Sequence, residues 1–315
     1  MQALVAHEPG KLAVADVPEP QPGPGEVIVE LKAAALNRRD LGIVAGRYGA
    51  ELPIVPGSDG AGIRRDTGEE VVILPSLRWG EREEHPGPRF KILDGTHAEL
   101  IAIPEVNLFP KPKRLSWTEA AAFPLAGLTA YRALFSRARL QADETLLVLG
   151  AGSGVSTFAV QLAAQAGAKV LVTSSSDEKL DRALELGADG GVLYTDEDWV
   201  EQVRALGEID VVLDSVGSTW PQSLAALRGG GRLVVFGATG GAEVALDARS
   251  FYFGQYWLLG TTMGSPRDFA ALLEAIDRGA WTPAIDSVRP LADGLEAYDR
   301  LEAGDQFGKL VLDLA

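Results

Sequence analysis

Residues 145–157 read TLLVLGAGSGVST, an apolar run that leads through a glycine-rich turn into a helical pattern. This order of strand, turn and helix is typical of a dinucleotide-binding loop, whose fingerprint is G-x-G-x-x-G. Counted from Gly150, the third glycine position holds Val155. Because that glycine serves only close packing of helix on strand, the small Ser156 can take its place. We therefore expect a cofactor pyrophosphate at the start of this helix. The loop residues expected to bind it are Gly150, Gly152, Ser153, Gly154 and Val155.

The alternation of strand and helix continues through the middle of the chain. Apolar strand runs recur at 145–150, 168–174, 190–195, 209–217, 231–238 and 256–263. Helical patterns lie between most of them, at 155–168, 177–188, 196–207 and 219–230. Near-continuous Val/Leu strands that alternate with helices predict a parallel sheet covered on both faces, as in a doubly wound α/β domain. This context favours a cofactor loop over a glycine-rich turn without a ligand.

The flanking regions have a different texture. The first 110 residues carry short apolar runs between proline- and glycine-rich turns, which predicts a compact all-β unit. A helix is expected near 116–135, with Ser116 and Glu119 spaced as a capping box. The C-terminal segment adds helical patterns at 266–280 and 291–304, then a closing strand at 308–314.

Composition limits the class of protein and its partners. A chain of 315 residues with 46% hydrophobic and 23% charged residues predicts two globular domains. The net charge of −15 repels nucleic acid and anionic lipid, so neither is expected as a partner. No signal peptide or long apolar span is evident, and a cytoplasmic location is expected. The absence of cysteine excludes disulfides and thiolate metal ligands.

The segment VTSSSDEK (172–179) bears on the choice of cofactor. At the end of the second strand, NAD-binding units place an acid on the ribose 2′-hydroxyl, but this strand ends in hydroxyl side chains. Hydroxyls and a lysine one helical turn later suit a 2′-phosphate, which favours NADP(H). In the alternative, Ser175 and Glu178 form a capping box; both can hold, because a cap and a phosphate use the same free N–H groups. The residues expected at the phosphate are Ser174, Ser175, Lys179 and Tyr194.

Several ordered motifs carry a family resemblance. They are the glycine loop, SSSDEK (174–179), DVVLDSVG (210–217), LRGGGRLVVFGATG (227–240), ALNRRD (35–40), PGSDGAG (56–62), GTHAELIAIP (95–104), AAAFPLAGLTAYRAL (120–134) and GKLVL (308–312). With them the chain resembles the medium-chain dehydrogenase/reductase superfamily over nearly its whole length. The resemblance implies a GroES-like β-rich catalytic domain (1–120 and 264–315) around a Rossmann nucleotide-binding domain (121–263). It also implies cofactor contacts from Thr129, Gly237 and Arg38.

The resemblance also implies that no metal is bound. Relatives with zinc place ligands at three positions that are Asn37, Ser58 and Leu125 here. Leucine cannot coordinate a metal, and Asn and Ser are poor Zn²⁺ ligands. The lobe that holds structural zinc in such relatives corresponds to residues 76–95, which contain no cysteine. The chain is therefore similar to the zinc-free, quinone-oxidoreductase-like branch.

Three side chains are expected to carry the chemistry, each with a purely structural alternative. Asn37 can donate to a substrate carbonyl or only fix a loop. Tyr48, matched to a tyrosine that zinc-free relatives place over the substrate, can protonate the developing oxygen or sit in a surface turn. Asp40 can orient Asn37 or pair with a neighbouring arginine. His97 is expected in the pocket wall or in packing rather than as a proton relay. The expected pocket residues are His97, Ser58 and Leu125.

The resulting expectation is an NADPH-dependent, zinc-free reductase of quinones or α,β-unsaturated carbonyls. An alcohol dehydrogenase is disfavoured by the missing ligands, and a redox sensor that binds NADPH without turnover is the alternative from another class. Assembly is expected to be dimeric, because FYFGQYW (251–257) precedes an apolar strand at the edge of the sheet. In the alternative, these aromatic residues fill the core or the substrate cleft.

Overall fold

The computed structural model describes all 315 residues of the chain. The chain forms two compact units, Met1–Leu128 with Gly264–Ala315, and Thr129–Met263. Residues 121–128 fall in the first unit, although the sequence placed them in the nucleotide-binding domain. One reason is that the Leu125 N–H donates a hydrogen bond to Asp59 of the first unit. No helix combines the length and the apolar character needed to span a membrane.

Most of the chain lies in strands and helices. The strands are β1 (Gln2–Glu8), β2 (Lys11–Asp16), β3 (Glu26–Ala35), β4 (Asp59–Arg64), β5 (Glu70–Ile73), β6 (Ser76–Leu77), β7 (Lys91–Ile92), β8 (Leu100–Pro104), β9 (Leu108–Pro110), β10 (Thr145–Val148), β11 (Lys169–Ser174), β12 (Gly190–Leu193), β13 (Ile209–Asp214), β14 (Leu227–Val235), β15 (Trp257–Gly260), β16 (Ile285–Pro290) and β17 (Lys309–Asp313). The helices are α1 (Arg38–Val44), α2 (Trp117–Ala122), α3 (Pro124–Tyr131), α4 (Gly154–Gln165), α5 (Asp177–Glu185), α6 (Trp199–Leu206), α7 (Trp220–Ala226), α8 (Ala248–Phe253), α9 (Pro266–Arg278) and α10 (Gly294–Ala303). Residues Glu105–Asn107 and Leu291–Asp293 form 3₁₀ turns, and Arg132–Arg137 form a π-helical turn.

A seven-stranded sheet organises the first unit. Its order is β16-β17-β3-β4-β5-β9, and β8 pairs with β3. In this register Ala35 of β3 lies opposite both Asp59 of β4 and Val311 of β17. The pairings are antiparallel, so the end of β3 and the starts of β4 and β17 meet at one edge. The residues just there, Asn37, Asp59 and Lys309, are brought together by the sheet.

A six-stranded sheet, all parallel, organises the second unit. Its order is β12-β11-β10-β13-β14-β15. The order reverses between β10 and β13, and ligands of doubly wound sheets bind outside the carboxyl ends of the strands at such a point. The strand interiors are buried Val and Leu, as in Leu146, Leu147 and Val148 of β10. The predicted doubly wound parallel sheet is confirmed, and β15 lies at the expected edge.

The secondary structure differs from the sequence-based expectations at α1, α6 and α7, and the helix expected near 116–135 is divided into α2, α3 and the π-helical turn. The N-terminal unit is not all-β, because it contains the helix α1, which begins with a hydrogen bond from the Asn37 N–H to the Asp40 carboxylate. Helix α7 ends at Ala226, since the glycine-rich run that follows is part of β14. Helix α6 begins only at Trp199. The capping box of Ser116 and Glu119 at the start of α2 is confirmed.

Candidate functional site

A buried polar cluster lies at the edge where β3, β4 and β17 meet. The Lys309 ammonium donates to Asn37 Oδ1 at 2.7 Å and to Asp59 Oδ2 at 3.0 Å. The Asn37 Nδ2 donates to the same Asp59 oxygen at 2.9 Å. The other Asp59 oxygen accepts the Leu125 N–H at 2.7 Å. We call Asn37, Asp59 and Lys309 the amide–carboxylate–ammonium cluster.

Burial governs the electrostatics of this cluster. Asp59 is fully buried and Lys309 is 2% exposed. Loss of hydration raises the pKa of the Asp59 carboxyl, while Lys309 and the hydrogen bond from Asn37 lower it. All three groups that bond the two Asp59 oxygens are donors, and only the ionised carboxylate accepts from all of them. The hydrogen bonds of the Asp59–Lys309 ion pair are therefore made within the chain. Asn37, which is 7% exposed, is the most accessible member of the cluster.

Ser58 belongs to a second hydrogen-bond network, which includes Arg39 and Asp94. Its hydroxyl donates to the Leu93 carbonyl at 2.7 Å and accepts from Arg39 Nη1 at 2.7 Å. The same guanidinium nitrogen lies 2.7 Å from Asp94 Oδ1. Ser58 is fully buried, so it contributes to internal packing and offers no free group to a ligand in this structure.

Asp40 joins the two networks. Its Oδ2 accepts the Asn37 N–H at 2.7 Å, and its Oδ1 lies 3.7 Å from Arg39 Nη1. Oδ1 has no hydrogen-bond partner, although the side chain is fully buried. Loss of hydration, opposed by Arg39, raises the pKa of Asp40 to about 7. Asp40 thus anchors the backbone of Asn37 rather than its side chain.

His97 is fully buried and packs inside the first unit. Its Nδ1 lies 3.0 Å from the Tyr298 hydroxyl, and its Nε2 lies 3.5 Å from the Ala35 carbonyl. Loss of hydration lowers the pKa of His97 to about 3. At Gly57 a Cβ would lie 2.3 Å from the imidazole, so glycine makes room for the ring. These contacts favour packing, one of the two roles expected for His97, over a place in the wall of an open pocket.

Zinc does not fit the residues at the former ligand positions. Asn37 and Ser58 direct their oxygens at Lys309, Arg39 and a backbone carbonyl. The ammonium of Lys309 would repel a cation beside Asp59. No group of three His, Cys, Asp or Glu side chains is arranged to hold a metal ion. The side chains at these positions are therefore poor ligands for zinc, and the absence of bound metal stays a prediction.

The lobe at 76–95 is held by aromatic side chains. Trp79 is 2% exposed and meets Phe90 edge to face, with ring centroids 5.4 Å apart. The Trp79 indole N–H donates to the Arg82 carbonyl at 3.0 Å. This apolar contact stabilises a segment that contains no cysteine.

Tyr48 lies in the loop after α1 and is 74% exposed. Its backbone has a left-handed φ of 61°. A Cβ at residue 42 would come within 2.3 Å of the Tyr48 ring, so the ring lies against Gly42. The structure does not connect its hydroxyl to Asn37, and its role as a proton donor stays a prediction.

The glycine loop of the second unit joins β10 to α4. Gly150 has a left-handed φ of 72°, which favours glycine there. Ser153 caps α4 by accepting the Ser156 N–H at 3.1 Å. Ser156 is buried, and its hydroxyl lies 3.3 Å from the Leu149 carbonyl. The loop from β10 to α4 includes Gly152 and leads into Gly154 and Val155, the first residues of the helix. Its shape is that of an anion-binding loop at a helix N-terminus.

The residues expected at the 2′-phosphate lie at the end of β11, in the first turn of α5 and just after β12. Ser174 is 2% exposed, and its carbonyl accepts the Tyr194 N–H at 2.9 Å. The cap of α5 is Ser176, whose hydroxyl accepts the Lys179 N–H at 3.4 Å. The expected cap at Ser175 is therefore wrong, because the helix starts one residue later. Ser175 is exposed and remains free to meet a ligand.

Asp214 is a buried structural residue beside the predicted cofactor site, and the sequence did not indicate its role. It ends β13, is fully buried, and accepts from the Val216 N–H at 2.7 Å, Thr219 Oγ1 at 2.7 Å and Ser223 Oγ at 2.8 Å. Its carboxylate thereby fixes the turn after β13. At Gly237 a Cβ would lie 2.7 Å from the Ser215 carbonyl oxygen, so glycine lets the two strand-end turns approach.

Two further residues expected at the cofactor, Arg38 and Thr129, lie in α1 and α3, and their cofactor contacts stay predictions. Arg38 donates to the Leu301 carbonyl at 3.0 Å, and its side chain is otherwise on the surface. Thr129 is 5% exposed within α3.

Lys309 is a residue of the candidate site that the sequence analysis did not identify, although it stands in the GKLVL motif. Its contact with Asn37 joins residues far apart in the sequence, so no local pattern indicates it.

The comparisons with known proteins agree with both units. A family described as an alcohol dehydrogenase GroES-like domain matches residues 23–113, and one described as a zinc-binding dehydrogenase matches residues 154–278. These matches and the two sheets define a nicotinamide-dependent oxidoreductase with a GroES-like domain and a Rossmann domain, as expected. The chain belongs to the medium-chain dehydrogenase/reductase superfamily.

Relatives with different activities are similarly close. The chain is 35% identical to a zinc-type alcohol dehydrogenase-like protein of Schizosaccharomyces pombe, covering 92% of this chain and 91% of that protein. It is 30% identical to the quinone oxidoreductase of Mus musculus, covering 94% and 92%. A crystal structure of an NAD-dependent alcohol dehydrogenase has 38% identity, full coverage of both chains and a TM-score of 0.91. Similarity therefore supports oxidoreductase activity without deciding the substrate.

Proposed function

We propose that this protein is an NADP(H)-dependent, zinc-free oxidoreductase that transfers hydride to a quinone or an α,β-unsaturated carbonyl. The observation that carries the proposal is the amide–carboxylate–ammonium cluster, which holds a fixed amide donor, Asn37, at a position where zinc-containing relatives are expected to place a ligand. Without a Lewis acid, an unactivated alcohol is hard to dehydrogenate. A quinone or enone already delocalises the charge that hydride brings, so a hydrogen-bond donor is sufficient.

The residues of the chain divide the work as follows. Asn37 donates from Nδ2 to the acceptor carbonyl and stabilises the oxygen as negative charge develops there. The glycine loop at Gly150, Gly152 and Gly154 would hold the pyrophosphate of NADPH, and the cofactor would supply the hydride and be oxidised to NADP⁺. One proton, from the Tyr48 hydroxyl or from water, completes a two-electron, two-proton reduction to the hydroquinone or the saturated carbonyl compound.

Alcohol dehydrogenation is the second candidate function. It is favoured by the 38% identity to the crystallised NAD-dependent alcohol dehydrogenase. The donor set at Asn37 and Ser58 opposes it, because both side chains are committed to cationic partners.

The test is a panel of reactions with purified protein. NADPH oxidation is followed with 1,4-naphthoquinone and 2-cyclohexen-1-one, and NAD(P)⁺ reduction with primary and secondary alcohols, each with and without EDTA. We expect quinone or enone turnover that EDTA leaves intact. Asn37→Ala should lower kcat/KM about tenfold or more, since it removes a donor to a charged transition state. Alcohol turnover abolished by EDTA, with no quinone or enone turnover, would establish the second candidate.

Cofactor choice is the finer part of the proposal. Ser175, which is exposed just after β11, and Lys179 in the first turn of α5 support NADPH, because each can donate to the 2′-phosphate. Ser174 was expected there too, but it is 2% exposed and its hydroxyl accepts the Ser176 N–H. Asp177 and Glu178 in the first turn of α5 oppose it by charge. We therefore expect a preference of roughly 10–100-fold in kcat/KM for NADPH. Lys179→Ala should raise KM for NADPH several-fold and leave NADH nearly unchanged; equal loss with both cofactors would contradict the assignment.

We also propose that two copies pair through β15. Phe251 and Tyr256 pack against the core, as the alternative anticipated. The exposed aromatics on the same edge are Tyr252 at 57%, Phe253 at 68% and Trp257 at 63%. An apolar edge strand with unpaired backbone groups suits extension of the sheet by a second copy.

A further inference from the structure

Lys309 has no role in the proposed reaction as stated, yet it lies at the centre of the buried cluster. Gly308 precedes it with a φ of 92°, and a Cβ there would lie 2.2 Å from the Ala284 carbonyl oxygen. The backbone N–H of Lys309 donates to the Ala284 carbonyl at 2.9 Å. Glycine at residue 308 thus lets the start of β17 lie close to Ala284. Lys309 follows it, and its side chain reaches Asn37.

The cluster determines which way the Asn37 amide faces. An ammonium only donates, and a carboxylate only accepts. The amide oxygen therefore faces Lys309, and the amide nitrogen faces Asp59. The reverse orientation would set N–H against N–H and oxygen against oxygen.

One hydrogen of Asn37 is left for a ligand. Nδ2 has two hydrogens and one acceptor in the chain, Asp59 Oδ2. Asn37 is also the most accessible member of the cluster, at 7% exposed against 2% for Lys309. A donor to the amide oxygen draws electron density from the nitrogen, so hydrogen-bond chains strengthen one another. The ammonium thereby makes the remaining N–H a stronger donor.

We propose that Lys309 is a positioning residue: with Asp59 it locks and polarises the Asn37 amide, so that its free N–H meets the acceptor carbonyl. The inference rests on the proposed function for the identity of that carbonyl. The orientation of the amide does not depend on it. The competing explanation is that Lys309 only neutralises a buried carboxylate, which an unpaired Asp59 would require for stability.

A charge-free double variant separates these explanations. Lys309→Met alone leaves Asp59 unpaired and is expected to destabilise the fold. Lys309→Met combined with Asp59→Asn removes both charges and keeps the side-chain volumes similar. The matched control is Arg300→Met with Asp286→Asn, a pair in the same unit whose carboxylate is 4% exposed.

Kinetics and folding are measured together on these proteins. We expect the double variant to melt within several degrees of wild type and to bind NADPH normally by fluorescence. Its kcat/KM for 1,4-naphthoquinone should fall about tenfold or more, mainly in kcat. The control pair should retain activity. A double variant that is both folded and fully active would overturn the proposal, because neutralisation alone would then explain Lys309.

A readout without turnover keeps this test separate from the proposed function. In ¹⁵N-labelled protein with NADP⁺, the Asn37 side-chain signal is assigned by its loss in Asn37→Ala. We expect one of its protons to be shifted downfield by Asp59, and the other to move on titration with cyclohexanone. Both features should be lost in the double variant. If wild type reduces no quinone or enone, the proposed function fails while these signals still decide the positioning role. Unchanged Asn37 signals in the double variant would overturn it.

Discussion

Replacing His97 with phenylalanine tests the electrostatics of the first unit most directly. The ring lies between Tyr298 and the Ala35 carbonyl and is fully buried. Phenylalanine keeps the aromatic shape over Gly57 but cannot accept from the Tyr298 hydroxyl. A buried donor left unpaired costs about 1–3 kcal/mol, so His97→Phe should lower the free energy of unfolding by this amount at pH 7.

The pH dependence gives a second, independent magnitude. The pKa of His97 is about 3 in the folded protein against an ordinary 6.5. Below pH 6.5, His97 becomes protonated in the unfolded chain but stays neutral in the folded chain. The contribution to stability is therefore complete above pH 6.5 and is lost as the pH falls toward 3. Between pH 7 and pH 5 it amounts to about 2 kcal/mol, so the gap between wild type and His97→Phe should shrink by about that much.

The assay is urea denaturation of both proteins at the two pH values. Other titrating groups, including Asp40, are common to both and cancel in the difference. The double variant His97→Phe with Tyr298→Phe serves as the control, because it removes the orphaned hydroxyl and should recover part of the loss at pH 7. Quinone-reductase activity of His97→Phe should stay within a few-fold of wild type, since a buried neutral imidazole exchanges no proton with a substrate.

Two results would refute this reasoning. A gap that stays constant between pH 7 and pH 5 would mean that His97 is accessible enough to be protonated in the folded state. A loss of activity of about a hundredfold in a stable variant would mean that the imidazole takes part in proton transfer.

Three further predictions concern Asp40, metal and assembly. The pKa of Asp40 is about 7 against an ordinary 3.8, so the folded chain holds a proton that the unfolded chain releases. Wild-type stability should therefore fall, relative to Asp40→Asn, by about 3 kcal/mol in urea denaturation as the pH rises from 4 to 7. Dialysis against EDTA should change neither the melting temperature nor the quinone-reductase activity, because the donors at the former ligand positions are committed to protein partners; elemental analysis checks the metal content. Trp257→Glu should convert a dimer into a monomer by light scattering at micromolar concentration, since it sets like charges against each other at β15.

Each of these has a clear contrary result. Parallel stability curves for wild type and Asp40→Asn would place the Asp40 pKa near its ordinary value. Stoichiometric zinc in the purified protein would contradict the zinc-free assignment. A wild type that is already monomeric would remove the proposed pairing through β15, whatever the variant does.

The fold was largely predictable from the sequence because its signals are local. Strand runs such as 145–150 and the helical patterns between them follow from the periodicity of apolar residues. Gly150 indicates a turn with a positive φ, and the spacing of Ser116 and Glu119 indicates the start of a helix. Errors fell where local signals compete: three successive serines offered several caps at α5, and the structure uses Ser176.

The candidate site was predictable only in part. The sequence by itself identified Asn37, Asp40 and the glycine loop as candidates and excluded thiolate metal ligands. Tertiary structure alone showed that Lys309, far along the chain, is 2.7 Å from the Asn37 amide, and that Ser58 and His97 are committed to internal partners. Strand pairing across β17, β3 and β4 makes these contacts. Residue type and spacing indicate which chemistry a side chain offers, but the register of distant strands decides which partner it meets.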